Sequence, residues 1–194
     1  MHKSLKQQLR CQGRYQRNQL SAATRQHFAK QACLNFQYSP YFQNARRIAG
    51  YMAIDNELDP QFILTLAQRL NKCCYLPVLA GKQLKFRQFS ATTPLHANRY
   101  GILEPMVQPS LALAAGQCDV ILVPLVQVDG LGHRLGMGKG FYDRTFSRQR
   151  ILQRPWLIGL AYECQKLAYV PHTARDICLD ALVTEKKFYA FSSH

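Results

Sequence analysis

The segment Asp119-Val-Ile-Leu-Val-Pro124 sets four branched apolar residues in a row with no polar position among them. Successive side chains of a strand point to opposite faces, so this run has no side suited to water. It is a run of the kind buried as a strand of a parallel sheet, covered above and below.

Other segments supply the rest of such a sheet. Residues 47–54, 74–79, 156–161 and 181–184 are short apolar runs that read as further strands, and residues 84–89 alternate as a half-exposed strand does. Helical patterns lie between them. Residues 3–17 carry Leu5 and Leu9 one turn apart, with Gly13 weakening continuity; Ser21 is an N-cap for a helix to Phe36, which Ser39-Pro40 ends. Asp59-Pro60 starts a helix through Phe62, Ile63, Leu66 and Leu70, and residues 142–153 form a basic helix. Residues 90–117 read mostly as loop. The expectation is an α/β single domain over residues 1–194, with a largely parallel sheet and helices on both faces. Ligands of such sheets gather beyond the carboxyl ends of the strands.

The seven cysteines show no C-x-x-C pair and no zinc-finger spacing, and Cys73-Cys74 would point to opposite faces of a strand; reduced structural thiols are expected. No stretch reaches the roughly 18 apolar residues of a membrane span, and the first ten residues lack a signal peptide's apolar core. A cytoplasmic protein without a membrane partner is the expectation.

The formal net charge is +14, and the first 50 residues hold nine Lys or Arg and no Asp or Glu. An anionic partner is implied, either nucleic acid or a nucleotide together with a polycarboxylate substrate. Lys6 and Arg10, four apart on the first helix, either grip one polyanion or form part of a solvated basic face.

The segment Arg134-Leu-Gly-Met-Gly-Lys-Gly-Phe-Tyr-Asp143 follows the buried run and precedes a helical pattern. Glycines 136, 138 and 140 let a backbone approach a ligand and aim N–H groups at phosphate oxygens. It is neither a P-loop nor a dinucleotide fingerprint, and a glycine-rich surface turn is the competing reading. Arg134 and Lys139 add cations and Asp143 a carboxylate suited to Mg²⁺. A second carboxylate is sought in Asp176 or Asp180, just before the last apolar run, where a turn or cap is the alternative.

Residues 123–144 as a whole closely resemble the signature of 5-formyltetrahydrofolate cyclo-ligases, also called methenyltetrahydrofolate synthetases. Lys6-x-x-Leu9-Arg10, Glu57, Gly101-Ile-Leu-Glu-Pro105 and Asp180-Ala-Leu-Val-Thr-Glu185 resemble four further landmarks of that family in the same order. The resemblance implies a Rossmann-like, NagB/RpiA/CoA-transferase-like architecture and an ATP- and Mg²⁺-dependent cyclisation of 5-formyltetrahydrofolate, mono- or polyglutamylated, to 5,10-methenyltetrahydrofolate. It also implies a monomer with no nucleic-acid partner. By the resemblance ATP contacts Lys6, Arg10, Arg134, Leu135, Gly136, Met137, Gly138, Lys139, Gly140, Phe141 and Tyr142. Mg²⁺ sits on Asp143 and Asp180. Folate meets Met52, Glu57, Met137, Gly138, Lys139, Gly140 and Phe141, while Arg134, Lys139 and Asp143 carry catalysis. Phe141 stands where many relatives have tyrosine and so keeps only a stacking surface. Tyr100 is a weaker pocket candidate, and His133 is expected to face solvent. A basic nucleic-acid-binding module and a nucleotide-binding regulator without folate chemistry are the competing functions.

Overall fold

A computed structural model describes residues 4–106, 112–146 and 154–191. In chain order the elements are α1 (Leu5–Asn18), α2 (Ala22–Gln37), α3 (Pro40–Asn44), β1 (Arg47–Ala49), α4 (Gln61–Arg69), β2 (Cys73–Ala80) and β3 (Gln83–Gln88). There follow β4 (Leu95–Ala97), β5 (Leu103–Pro105), β6 (Val120–Pro124), β7 (Gln127–Val128), β8 (Arg134–Leu135), α5 (Phe141–Phe146), β9 (Trp156–Leu160), β10 (Ala181–Val183) and β11 (Phe188–Ala190). Lys3 and residues 147–153, expected in the first and last helices, lie outside the described residues.

Seven strands form one sheet in the order β11-β10-β9-β6-β1-β2-β3. The five inner strands run parallel, and only the outermost pairs, β2 with β3 and β10 with β11, are antiparallel. The apolar run takes the central place its composition demands. Val120 and Leu122 join the core built with α2, α3 and α4, while Ile121 and Val123 join the opposite core with Phe146 of α5. Helices therefore lie on both faces, with irregular chain completing the second.

The caps act as the sequence suggests. Ser21 Oγ accepts the N–H of Thr24 at 3.1 Å, and Asp59 Oδ1 accepts that of Gln61 at 2.9 Å. Ser39-Pro40 does more than end a helix: Ser39 Oγ accepts from Phe42, and a short new helix begins. The first strand is shorter than its apolar run, because the chain leaves the sheet at Gly50, where Leu64 packs so closely that a Cβ would meet its Cδ1 at 2.8 Å. Residues 90–117 are not all loop either. They hold the β4–β5 hairpin, pinned by buried Glu104, whose Oε1 accepts from Leu79 N–H at 3.0 Å and Asn98 Nδ2 at 2.7 Å. Cys73 is exposed and Cys74 buried, as opposite strand faces require.

Candidate active site at the carboxyl edge

Beyond the carboxyl end of β6 the chain makes the small β7–β8 hairpin before reaching the glycine-rich segment. Asp129 organises that turn. Its Oδ1 accepts the N–H groups of Leu131 and His133, and its Oδ2 accepts that of Val170 and lies 3.1 Å from His133 Nδ1. His133 is partly buried and stacks on His172 with centroids 3.4 Å apart, so it does not face solvent as expected. Ligand atoms of Asp129, His133 and His172 come within 4.8 Å of one another. The carboxylate's four lone-pair positions are nevertheless taken, and lone pairs of stacked rings run side by side instead of converging. The cluster ties the turn to the β9–β10 crossover.

The glycine-rich segment has a marked polarity. Three of its carbonyls are bonded to arginines: Gly136 O accepts from Arg10 Nε at 2.9 Å, Lys139 O from Arg144 Nη2 at 2.6 Å, and Gly140 O from the N–H of Arg144 at 3.0 Å. The N–H groups of residues 136–140 have no partner among the described residues. Gly138 and Gly140 sit at φ 92° and 63°, which a side chain would strain, whereas a Cβ on Gly136 would meet nothing.

Around this strip stand the charged groups named from sequence. Arg134 is held by the carbonyl of Ile177 and by Asp143 Oδ1 at 2.7 Å. Asp143 Oδ1 also accepts the N–H of Ile177 at 3.3 Å, while Oδ2 has no hydrogen-bond partner among the described residues. Lys139 Nζ lies 5.4 Å from the ring centre of Tyr100, which meets Phe141 edge-on at 5.9 Å. Tyr100, a weaker candidate in sequence, is thus brought to the loop by the β4–β5 hairpin, and Phe141 uses its ring with no hydroxyl needed. Met137 is exposed, and Leu135 is buried beneath the segment.

The turn after β1 supplies the other wall. Met52 is partly buried against the helical core, and Glu57 is buried with Oε2 accepting the N–H of Ile54 at 3.2 Å. Burial raises the Glu57 carboxyl to about 7, partly opposed by that N–H and by the charge of Arg17. Burial, reinforced by the nearby Glu57, raises the Tyr142 hydroxyl above its usual range, which ties this wall to α5.

Residues 2–185 match the model of the 5-formyltetrahydrofolate cyclo-ligase family. The chain belongs to that family. A 5-formyltetrahydrofolate cyclo-ligase of Escherichia coli K12 is 34% identical over 91% of this chain and 98% of its own, and one from Haemophilus influenzae is 35% identical over 94% and 100%. The solved 5,10-methenyltetrahydrofolate synthetase of Aquifex aeolicus superposes with a TM-score of 0.84 at 29% identity, covering 98% of this chain and 94% of that one. No helix among the described residues is long and apolar enough to cross a membrane.

Of the two α1 cations, Arg10 reaches the loop at the Gly136 carbonyl, while Lys6 pairs at 3.1 Å with Asp176, the neighbour of the Ile177 that bonds Arg134 and Asp143. Asp180 does not join Asp143. It precedes β10, and in a parallel sheet a residue before a strand lies at the amino edge. There its carboxylate pairs with Arg154 at 2.5 and 2.8 Å and accepts the N–H of Leu157 at 2.7 Å. Asp55 was not singled out in the sequence, yet it accepts from both Arg14 and Arg17. The fully buried Arg17 reads in sequence as one more solvated cation, and no local signal marks it otherwise.

Proposed function

We propose that the chain closes 5-formyltetrahydrofolate to 5,10-methenyltetrahydrofolate with consumption of ATP. The observation that carries the reading is the glycine-rich segment, three of whose carbonyls are taken by Arg10 and Arg144 while the N–H groups of residues 136–140 have no partner among the described residues and are left for an anion. The family's named substrate and product supply the chemistry. A formamide oxygen is a poor leaving group. Transfer of the γ-phosphoryl group to it releases ADP and leaves an iminophosphate; N10 then attacks that carbon, loses its proton, and phosphate departs. Such a transfer depends mainly on alignment and charge neutralisation. Arg134 is aimed beside the segment by Asp143 and Ile177, and Lys6, Arg10 and Lys139 surround it. Asp143, with Oδ2 uncommitted, fits a nucleotide-bound Mg²⁺, which supplies charge neutralisation at the phosphates. Asp180 does not fit that role, being spent on Arg154 and Leu157.

Glu57 offers a carboxylate to the N–H donors of a pterin, with Met52 beside it and Met137 to Phe141 between the two substrates. The basic first helix has its charges turned inward onto Asp55, Asp176 and Gly136, an arrangement that suits a nucleotide better than a nucleic-acid surface. Seven free thiols suit a reducing, cytoplasmic setting. The purified protein with Mg-ATP and 5-formyltetrahydrofolate is expected to develop the near-ultraviolet absorbance of the methenyl product. Absence of that band across pH and metal conditions would overturn the reading.

A further inference from the structure

Helix α1 reaches both walls of the site from one side. Lys6, Arg10, Arg14 and Arg17 succeed one another at spacings of four, four and three, so they share a face. The first pair meets Asp176 and the Gly136 carbonyl. The second pair converges on a single carboxylate: Arg14 Nε and Nη2 lie 2.7 and 3.2 Å from Asp55, and Arg17 Nη2 lies 2.5 Å from its Oδ2. Between the pairs is Gly13, where a Cβ would come within 2.8 Å of both the Val126 carbonyl oxygen and Gln127 Cγ. The helix is seated there with no room to spare.

Asp55 belongs to the same turn as Met52 and Glu57. Asp55 and Asn56 have φ of 51° and 57°, a left-handed conformation that Asp and Asn tolerate better than other side chains. The side-chain partners of both residues come from α1: Arg14 and Arg17 on Asp55, and Asn18 Oδ1, which accepts from Asn56 Nδ2 at 2.9 Å. Glu57 is locked to the turn in turn, its Oε2 accepting from Ile54 N–H and its own N–H donating to Ile54 O at 3.0 Å. Hydrogen bonds from Arg14 and Arg17 outweigh burial and hold the Asp55 carboxyl below its ordinary range, so it stays charged.

We propose that Asp55 is a positioning residue that couples the two substrate sites, transmitting the position of α1 to the turn that presents Met52 and Glu57. The idea rests on the nucleotide and folate reading above. Phosphates that compete for Arg10 and Lys6 act on α1, and α1, through Arg14 and Arg17, acts on the folate wall. Because coupling of binding is reciprocal, folate must tighten nucleotide by the same factor.

The test is equilibrium binding of 5-formyltetrahydrofolate to the full chain, with and without the magnesium complex of a non-hydrolysable ATP analogue. Wild type is expected to bind folate about five-fold or more tightly with the analogue present, a lower bound for ordinary coupling. In Asp55→Asn the factor falls below about two-fold, while affinity for the analogue alone stays within about two-fold of wild type. Arg14→Gln, a change at a half-exposed side chain that leaves the Arg17 contact intact, gives an intermediate factor and guards against misfolding of the first variant. A residue with a merely structural role would lower the melting temperature and leave the factor alone. No tightening in wild type, or full tightening in both variants, overturns the proposal. A folded chain that binds no nucleotide overturns the functional reading and this proposal with it.

Discussion

At the amino edge of the sheet the acids are consumed by the fold. Asp119 Oδ2 accepts the N–H groups of Arg46 and Arg47, each at 2.8 Å, and Asp180 is filled by Arg154 and Leu157. At the carboxyl edge Asp143 uses one oxygen and Glu57 is buried with its carboxyl raised to about 7. The amino edge nevertheless holds a recess of about 710 Å³, lined by Tyr41, Arg47, Asp119, Arg154 and Trp156 among others. Concavity alone would place the chemistry there. Uncommitted bonding capacity is the better guide: parallel strands expose N–H groups at their amino ends, which acids cap, while the carboxyl edge leaves an acid and a row of loop N–H groups for something else.

The largest expected effect breaks or keeps that contrast directly. Asp143→Asn should lower kcat by about 100-fold or more, since it removes a charge placed for the phosphates, whereas Asp180→Asn should leave kcat within about three-fold and cost no more than about 1 kcal/mol of stability, because the Arg154 it pairs with is exposed. Steady-state kinetics under Mg²⁺ titration, with thermal melts, check both. A large kcat loss in Asp180→Asn together with a raised Mg²⁺ requirement would restore it as a metal ligand.

Next in size is a comparison inside the loop. Gly138→Ala forces a side chain into φ 92° with its Cβ 3.4 Å from the Arg10 guanidinium, and should reduce kcat/KM by about ten-fold or more. Gly136→Ala meets nothing and should leave the melting temperature unchanged. Equal effects of the two would mean that the left-handed backbone is not what shapes the cradle.

The buried acid at the carboxyl edge gives a pH signature. Below pH 4.5 Glu57 is protonated folded and unfolded; between 4.5 and about 7 the unfolded chain ionises while the folded one retains its proton, so stability falls as pH rises. The loss reaches about 3 kcal/mol above pH 7, from the rise of the carboxyl from 4.5 to about 7. Glu57→Gln should therefore gain stability over wild type at pH 8 and not at pH 4. Pterin donors favour the ionised form, so folate binding in wild type should tighten several-fold as pH rises through about 7, and be flat in Glu57→Gln.

Much of this architecture was legible in the sequence where one residue type admits one environment. The run at residues 120–123 had to be interior, and Ser21 and Asp59 had to cap. The rest was hidden for identifiable reasons. Residues 50–54 are apolar because Met52 and Ala53 pack on the core, not because they pair in the sheet, so the first strand reads too long. The three-residue arms of β4 and β5 are too short to show a period. Lys6, Arg10, Arg14 and Arg17 look alike on a helical wheel, and only tertiary contacts separate loop-facing residues from Asp55-facing ones. The edge occupied by Asp180 follows from strand direction, a topological fact that the motif surrounding it does not reveal.

The smallest expected effect is the most economical check on the amino-edge recess. Trp156 is 47% exposed at its rim and meets Tyr41 edge-on at 5.0 Å, an arrangement that stabilises the rim without facing the loop. Trp156→Ala should cost about 1 kcal/mol of stability and leave kcat and both KM values within about two-fold, because β9 runs from this residue to the opposite edge and its other residues keep their pairing with β6 and β10. A ten-fold loss of activity without unfolding would show that the recess communicates with the site, and the distinction between an edge that builds and an edge that reacts would then have to be given up.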